Sequence, residues 1–284
     1  MNRRILILGS GGQIGAYLTD YLNKIGYEVL EFDIVNGLHH DMTEIPNPEL
    51  HRKIMLSHFV FFLAFDVGGS HYLKKYQHTF KFIDNNARMM ANVFGLLEKY
   101  DKPFVFASSQ MSNMSYSPYG VMKRVGELYT KSLGGLIVKF WNVYGIEKDM
   151  EKAHVITDFI RKGFETGVID MMTDGTESRE FLYAEDCCEG LESVMGNYDR
   201  LTSDDELHIT TGNSTTILEI AKSIQKLFSN IGKEVVIKPA ESKDEVQKDA
   251  KNVSDPYIQK FWRSTTSVKE GLTKVFYEMK KNYE

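Results

Sequence analysis

The apolar run at residues 4–8 passes directly into Gly9-Ser10-Gly11-Gly12-Gln13-Ile14-Gly15. An amphipathic stretch over about residues 14–25 follows, then a second apolar run at 28–32. A glycine cluster alone is common in turns. Wedged between a strand and a helix it is far more restrictive, because it makes a tight turn that feeds a helix whose first N–H groups are open. Strand, helix and strand within about thirty residues define a βαβ unit, and such a unit commits the chain to a parallel sheet with helices on its faces.

The rest of the first half repeats the pattern. Strands are predicted at 59–64, 104–107 and 136–140, and helices at about 79–100 and 119–131. The fold class expected is therefore α/β, a Rossmann-type doubly wound parallel sheet. Residues 1–148 form its dinucleotide-binding domain, completed by about 179–212. Beyond Gly145 the alternation loosens and charge rises, so 149–284 reads mainly as a smaller C-terminal cap that binds substrate. Residues 241–256, rich in lysine and glutamate, are the segment expected to be mobile.

Composition narrows the function classes. With 284 residues, 42% of them hydrophobic, the chain can bury a full core without disulfides or metals. Its cysteines, Cys187 and Cys188, are adjacent, which suits neither a loop-closing bridge nor a spaced metal site. They read as reduced thiols in a cytoplasmic protein, and no metal is expected. Net charge is -5 from 34 basic and 39 acidic residues mixed along the chain, with no basic stripe for nucleic acid. The apolar run after Arg3-Arg4 is too short for a signal or a membrane span.

In the first turn, Gly9, Gly12 and Gly15, with Gln13 and Ile14, let backbone N–H groups approach a pyrophosphate at a helix start, where the dipole favours an anion. Asp33 ends the second strand, where a carboxylate accepts from both adenosine ribose hydroxyls and repels a 2'-phosphate, so NAD is expected rather than NADP. A turn-capping carboxylate is the other reading of Asp33. Asp41 reads equally as an adenine-side residue or a solvated loop aspartate. Tyr119 and Lys123 stand four apart, on one helix face, after Ser108-Ser109 at the end of a predicted strand. A tyrosine acting as a base near neutrality needs its pKa lowered by about three units, or about 4 kcal/mol. A nearby lysine cation acts with that sign.

Together GxxGxxG, Asp33, Ser109, Tyr119-x-x-x-Lys123 and Asn142-Val143-Tyr144-Gly145 resemble the extended short-chain dehydrogenase/reductase family that modifies nucleotide sugars. The resemblance covers nearly the whole chain. It implies Tyr119 as the base, Lys123 as its modulator and a ligand of the nicotinamide ribose, and Ser109 as hydrogen-bond partner of the reacting oxygen. It places Leu63, Ala64 and Asn86 beside the cofactor, although a helix-surface asparagine is an equal reading of Asn86. It also implies that Arg179, within Arg179-Glu180-Phe181-Leu182-Tyr183, grips the substrate diphosphate. Phe65-Asp66-Val67-Gly68-Gly69 and His154-Val155-Ile156 resemble the GDP-fucose synthase branch, which implies that Val67, Gly68, Gly69, Gln110, Asn142 and His154 line the substrate site. His154 reads equally as an ordinary helix-start residue.

Departures from the family pattern narrow the chemistry. Dehydratases of this family carry Asp and Glu directly after the serine; here Gln110 and Met111 stand there and cannot exchange the required proton. The GDP-fucose synthase branch pairs its histidine with a cysteine where this chain has Met111. The short run from Ser112 to Pro118 also replaces a longer loop. What is left is oxidation of a nucleotide-activated sugar, GDP-linked by this resemblance, to a 4-keto sugar, as in GDP-heptose 4-dehydrogenases. The alternatives are 4-epimerisation through the same ketone, and an NAD-binding module without catalysis. The helices at 79–100 and 119–131 resemble those the family packs in a homodimer, though their apolar faces suit one subunit equally.

Overall fold

The computed structural model describes residues 3–247 and 252–284. In chain order the elements are β1 (Arg4–Leu8), α1 (Gln13–Lys24), β2 (Glu28–Phe32), α2 (Pro48–Leu56), β3 (Phe59–Phe62), α3 (Ser70–Tyr76), α4 (Phe80–Tyr100), β4 (Phe104–Ser109), α5 (Pro118–Ser132), β5 (Leu136–Phe140) and β6 (Asn142–Tyr144). The second half continues with α6 (Val155–Thr166), β7 (Val168–Asp170), β8 (Ser178–Tyr183), α7 (Ala184–Gly196), β9 (Leu207–Ile209), β10 (Ser214–Thr216), α8 (Ile217–Asn230), β11 (Val236–Lys238) and α9 (Val268–Lys280).

The main sheet is parallel, in the order β2-β1-β3-β4-β5-β9. Its strands are apolar on both faces, as a sheet covered on both sides requires: Ile5, Leu6, Ile7 and Leu8 are all fully buried. One face packs α1 and α7 over Ile5, Ile7, Phe61, Val105 and Val138. The other packs α2, α4 and α5 over Leu6, Leu8, Val60, Phe62 and Phe106. The chain runs from β1 outward to β2 and then crosses to β3 on the other side of β1, so the strand order reverses between β1 and β3. In doubly wound sheets ligands bind at the carboxyl ends of the strands on either side of that reversal.

Small sheets carry the cap. In one, β6 pairs parallel and β10 antiparallel with β8; in the other, β7 pairs parallel with β11. Helices α6, α8 and α9 close a separate core in which Phe228 lies against Phe164 and Phe276 at centroid distances of 4.7 and 4.8 Å. Among the described residues no helix is long and apolar enough to cross a membrane.

The periodic strands and helices lie within a few residues of their expected positions. The described residues 241–247, within the stretch expected to be mobile, are instead tied to the cap. Residues 248–251 lie outside the described residues, but 240–247 are stitched to 172–174: Ala240 N donates to Thr173 O, Asp174 N to Ser242 O, and the Ser242 hydroxyl to Met172 O. A charge-rich composition therefore does not make this stretch loose, because its polar groups find partners on the cap.

Candidate active site

The glycine turn lies at the reversal point. Gly9 N donates to Phe32 O and Ala64 N to Leu8 O, each at 2.8 Å, which threads the turn between the ends of β2 and β3. Gly9 has φ +92°, and a Cβ on it would meet Ala64 N at 2.7 Å; a Cβ on Gly15 would stand 2.0 Å from Gly9 O. Only glycine permits this packing. Helix α1 starts at Gln13 with Gly12 as its N-cap and no side chain capping it. Its first N–H groups and positive dipole end are therefore left for an anion. The Ser10 hydroxyl and Gln13 Nε2 are buried there with no hydrogen-bond partner. Buried orphan donors at an uncapped helix start fit a dinucleotide pyrophosphate.

Asp33 stands beside this turn, one carboxylate oxygen accepting from Gly11 N and the other from Val35 N, each at 3.0 Å. Leu63 and Ala64 follow β3 at the same point, and Ile14 is half-buried on α1. Asn86 differs from the expected cofactor contact. It is fully buried, accepting from Asp66 N at 2.8 Å and donating to Phe82 O and Asp66 O, so its amide fixes the Phe65-Asp66 turn. Asp41 likewise spends one oxygen on the N–H and hydroxyl of Thr43, closing a turn.

Ser109 ends β4 and Tyr119 and Lys123 lie on α5, which starts at Pro118 with the Ser117 hydroxyl accepting from Gly120 N. All three side chains are buried. Lys123 Nζ donates to Ala107 O at 2.6 Å and lies 3.8 Å from the Phe65 ring centroid and 5.8 Å from that of Tyr119. The expected lowering of the tyrosine is not what this arrangement produces. Burial pushes the Tyr119 phenol up to about 12, and its hydrogen bond with Ser109 offsets this only in part. Burial also pushes Lys123 down to about 7, with the Glu127 carboxylate opposing. The reason is shared: both groups are enclosed by aromatic rings, and desolvation penalises either charge. Glu127, one turn beyond Lys123, is 1% exposed and accepts from the Ser108 hydroxyl at 2.6 Å and from Arg124 at 2.7 Å.

Beside the tyrosine opens a cavity of about 550 Å³ between the main sheet and the cap. Val67, Gly68, Gly69, Ser109, Gln110, Asn142, His154 and Arg179 all lie on its wall, with Tyr119. Residues far apart in the chain thus meet at one surface. Asn142 Nδ2 is buried there without a partner. Arg179 is ion-paired with Asp244, and both are mostly buried. As the N-cap of α6, His154 accepts Asp158 N on its carbonyl but caps no N–H with its side chain; its ring and backbone N–H bond Glu147 at 2.6 and 2.8 Å. Burial opposes charge on His154, but the Glu147 carboxylate wins and raises its pKa.

Glu127 escaped the sequence reading although its spacing of four from Lys123 would have placed it on the same helix face. Asp244, Val246 and Gln247 had no such signal. They reach the cavity from the segment after β11, more than a hundred residues beyond Tyr119, and Val246 packs in one cluster with Tyr119 and Met111.

A doubly wound sheet with an anion-ready turn at its reversal point, beside a buried Ser-Tyr-Lys set, fits a dinucleotide-binding site of the extended short-chain dehydrogenase/reductase type. Residues 5–210 match the model of the NAD dependent epimerase/dehydratase family, and the chain belongs to that family, with NAD as its cofactor. Relatives include UDP-glucuronic acid decarboxylase 1 of Danio rerio, 23% identical over 96% of this chain and 71% of that protein. GDP-L-fucose synthase of Sinorhizobium fredii is 24% identical over 96% of this chain and 94% of its own length. The solved structure of an epimerase from Methanothermobacter thermautotrophicus shares the fold, with a TM-score of 0.83 at 20% identity over 99% of this chain and 93% of that one.

Proposed function

We propose that this enzyme oxidises a nucleotide-activated sugar, GDP-linked, at carbon 4 to give a 4-keto sugar. The observation that carries the reading is the set of neighbours around Tyr119. Ser109 and Lys123 are in place, whereas Gln110 and Met111, both buried beside them, offer no acid or base for a second reaction. Oxidation without elimination needs one base, one hydrogen-bond donor to the reacting oxygen and one hydride acceptor. Held at the Gly9–Gly15 turn, NAD would supply the hydride acceptor and a positive charge.

Tyr119, which burial alone keeps protonated, would act as the base once the positive charge of bound NAD offsets that burial. It takes the proton of the sugar hydroxyl as the carbon's hydride passes to NAD, with Ser109 holding the oxygen as it becomes a carbonyl. Lys123, screened from water and bonded to Ala107 O, stabilises the phenolate once it carries charge. The orphan Asn142 amide has a donor to spare for the sugar. Arg179 takes the diphosphate, whose paired negative oxygens match a guanidinium better than the single Asp244 carboxylate does. The GDP preference draws on the likeness to GDP-L-fucose synthase; the UDP-glucuronic acid decarboxylase makes UDP the competing nucleotide.

The test incubates the NAD-loaded protein with GDP- and UDP-hexoses, reading absorbance at about 340 nm and product mass. NADH formation with loss of two hydrogens from a GDP-sugar is expected. Loss of water, an unchanged mass with an inverted carbon 4, or no reaction with any sugar overturns the reading.

A further inference from the structure

Next to Ser109 the structure builds a chain of amides that no role so far explains. Gln110 is 6% exposed. Asn252 Nδ2 donates both to Gln110 O at 3.0 Å and to Gln110 Oε1 at 2.6 Å. Gln110 Nε2 in turn donates to Gln247 Oε1 at 2.9 Å. Each link fixes the polarity of the next. Because Asn252 bonds a backbone carbonyl, its Nδ2 must be the donor; that forces Gln110 to present its oxygen backward and its nitrogen forward, and Gln247 follows suit. The run ends in N–H groups. The Gln247 amide nitrogen and the second N–H of Gln110 have no partner among the described residues, and both side chains line the cavity that holds Tyr119.

The run is anchored from behind. Asp244 accepts from Val246 N and Gln247 N, at 2.8 and 3.3 Å, and pairs with Arg179; Val246 is buried against the cluster containing Tyr119. Beyond Asn252, the Ser254 hydroxyl donates to Glu180 at 3.0 Å. Gln247 is therefore held over the reacting end of the cavity by contacts on both sides of the short stretch 248–251, which lies outside the described residues.

We propose that Gln247, with Asn252 as its positioning residue through Gln110, is a specificity-determining residue that donates to an oxygen of the sugar next to the carbon oxidised. Donor-terminated amides recognise an acceptor, so the substrate class is a sugar bearing a hydroxyl oxygen at that neighbouring carbon. A site built to bond such an oxygen discriminates against the deoxy analogue, because that analogue leaves the amide donors without the acceptor they face. The proposal rests on the nucleotide-sugar reading above and assigns the contact that tells one sugar from another.

Binding is measured on the NAD-loaded protein with GDP-mannose against GDP, and UDP-glucose against UDP, for wild type, Gln247→Ala and the near-isosteric Gln247→Glu, whose carboxylate cannot donate. The expected result is loss of about tenfold in affinity for the preferred sugar nucleotide, with its bare diphosphate bound within twofold of wild type. Asn252→Ala should show a smaller loss of the same kind. Equal loss for sugar nucleotide and diphosphate, no loss, or a wild type that binds sugar nucleotides no better than diphosphates overturns the proposal. Absence of NADH formation with the selective sugar loss intact would sink the dehydrogenase reading and leave this one standing.

Discussion

Tyr119 and Lys123 show what enclosure does to two groups whose chemistry depends on charge. The tyrosine is driven up to about 12 and the lysine down to about 7 by the same desolvation. Replacing Tyr119 by Phe removes the proton acceptor and should lower kcat by about 10²–10⁴, while NAD binding stays near wild type; stopped-flow absorbance and NAD titration together check this. Lys123 also predicts a pH dependence of stability. Its folded pKa, about 7, is below the ordinary lysine value, so between that pH and the ordinary value the unfolded chain binds more protons and stability rises with pH. The penalty is complete below about 7 and relieved as pH climbs toward the ordinary lysine range. In Lys123→Met this rise, up to about 1.4 kcal/mol per pH unit, should vanish from urea midpoints measured between about pH 7 and 9.5 without cofactor. Equal slopes in both proteins would refute the burial argument.

At the scale of elements, the first turn with α1 is the most constrained unit. A Cβ at Gly15 would lie 2.0 Å from Gly9 O, and that atom is backbone, so the turn itself must open. Gly15→Ala should weaken NAD binding by tenfold or more and cost about 1–3 kcal/mol of stability, as overpacking does. Calorimetric NAD titration beside thermal melts checks both. This unit was legible in the sequence because its determinants are local: glycine placement, a strand before it and an amphipathic helix after it. Asn86 was less legible. Its type suggested a ligand contact, whereas its amide is spent on the Phe65-Asp66 turn, and only the approach of α4 to that turn decides this.

Across the whole molecule, α4 and α5 expose Phe80, Ile83, Val121, Leu128 and Tyr129, with Phe80 at 81% and Leu128 at 56%. We propose that a second copy of the chain covers these faces. Light scattering after gel filtration should give twice the monomer mass, and Leu128→Glu should shift it toward monomer by burying a charge in an apolar contact. A monomeric wild type would refute it.

Sequence alone determined the parallel sheet, the glycine turn and the Ser109, Tyr119 and Lys123 set, since each rests on spacing within one or two adjacent elements. The direction of the tyrosine and lysine shifts was decided only by tertiary structure, because desolvation depends on rings such as Phe65 and Phe106 that close over them from other strands. The wall of the substrate cavity was decided there too. Gln110 meets Gln247 across 137 residues, and Arg179 meets Asp244 across 65. No local pattern encodes such contacts; they exist because the segment after β11 folds back over the cavity.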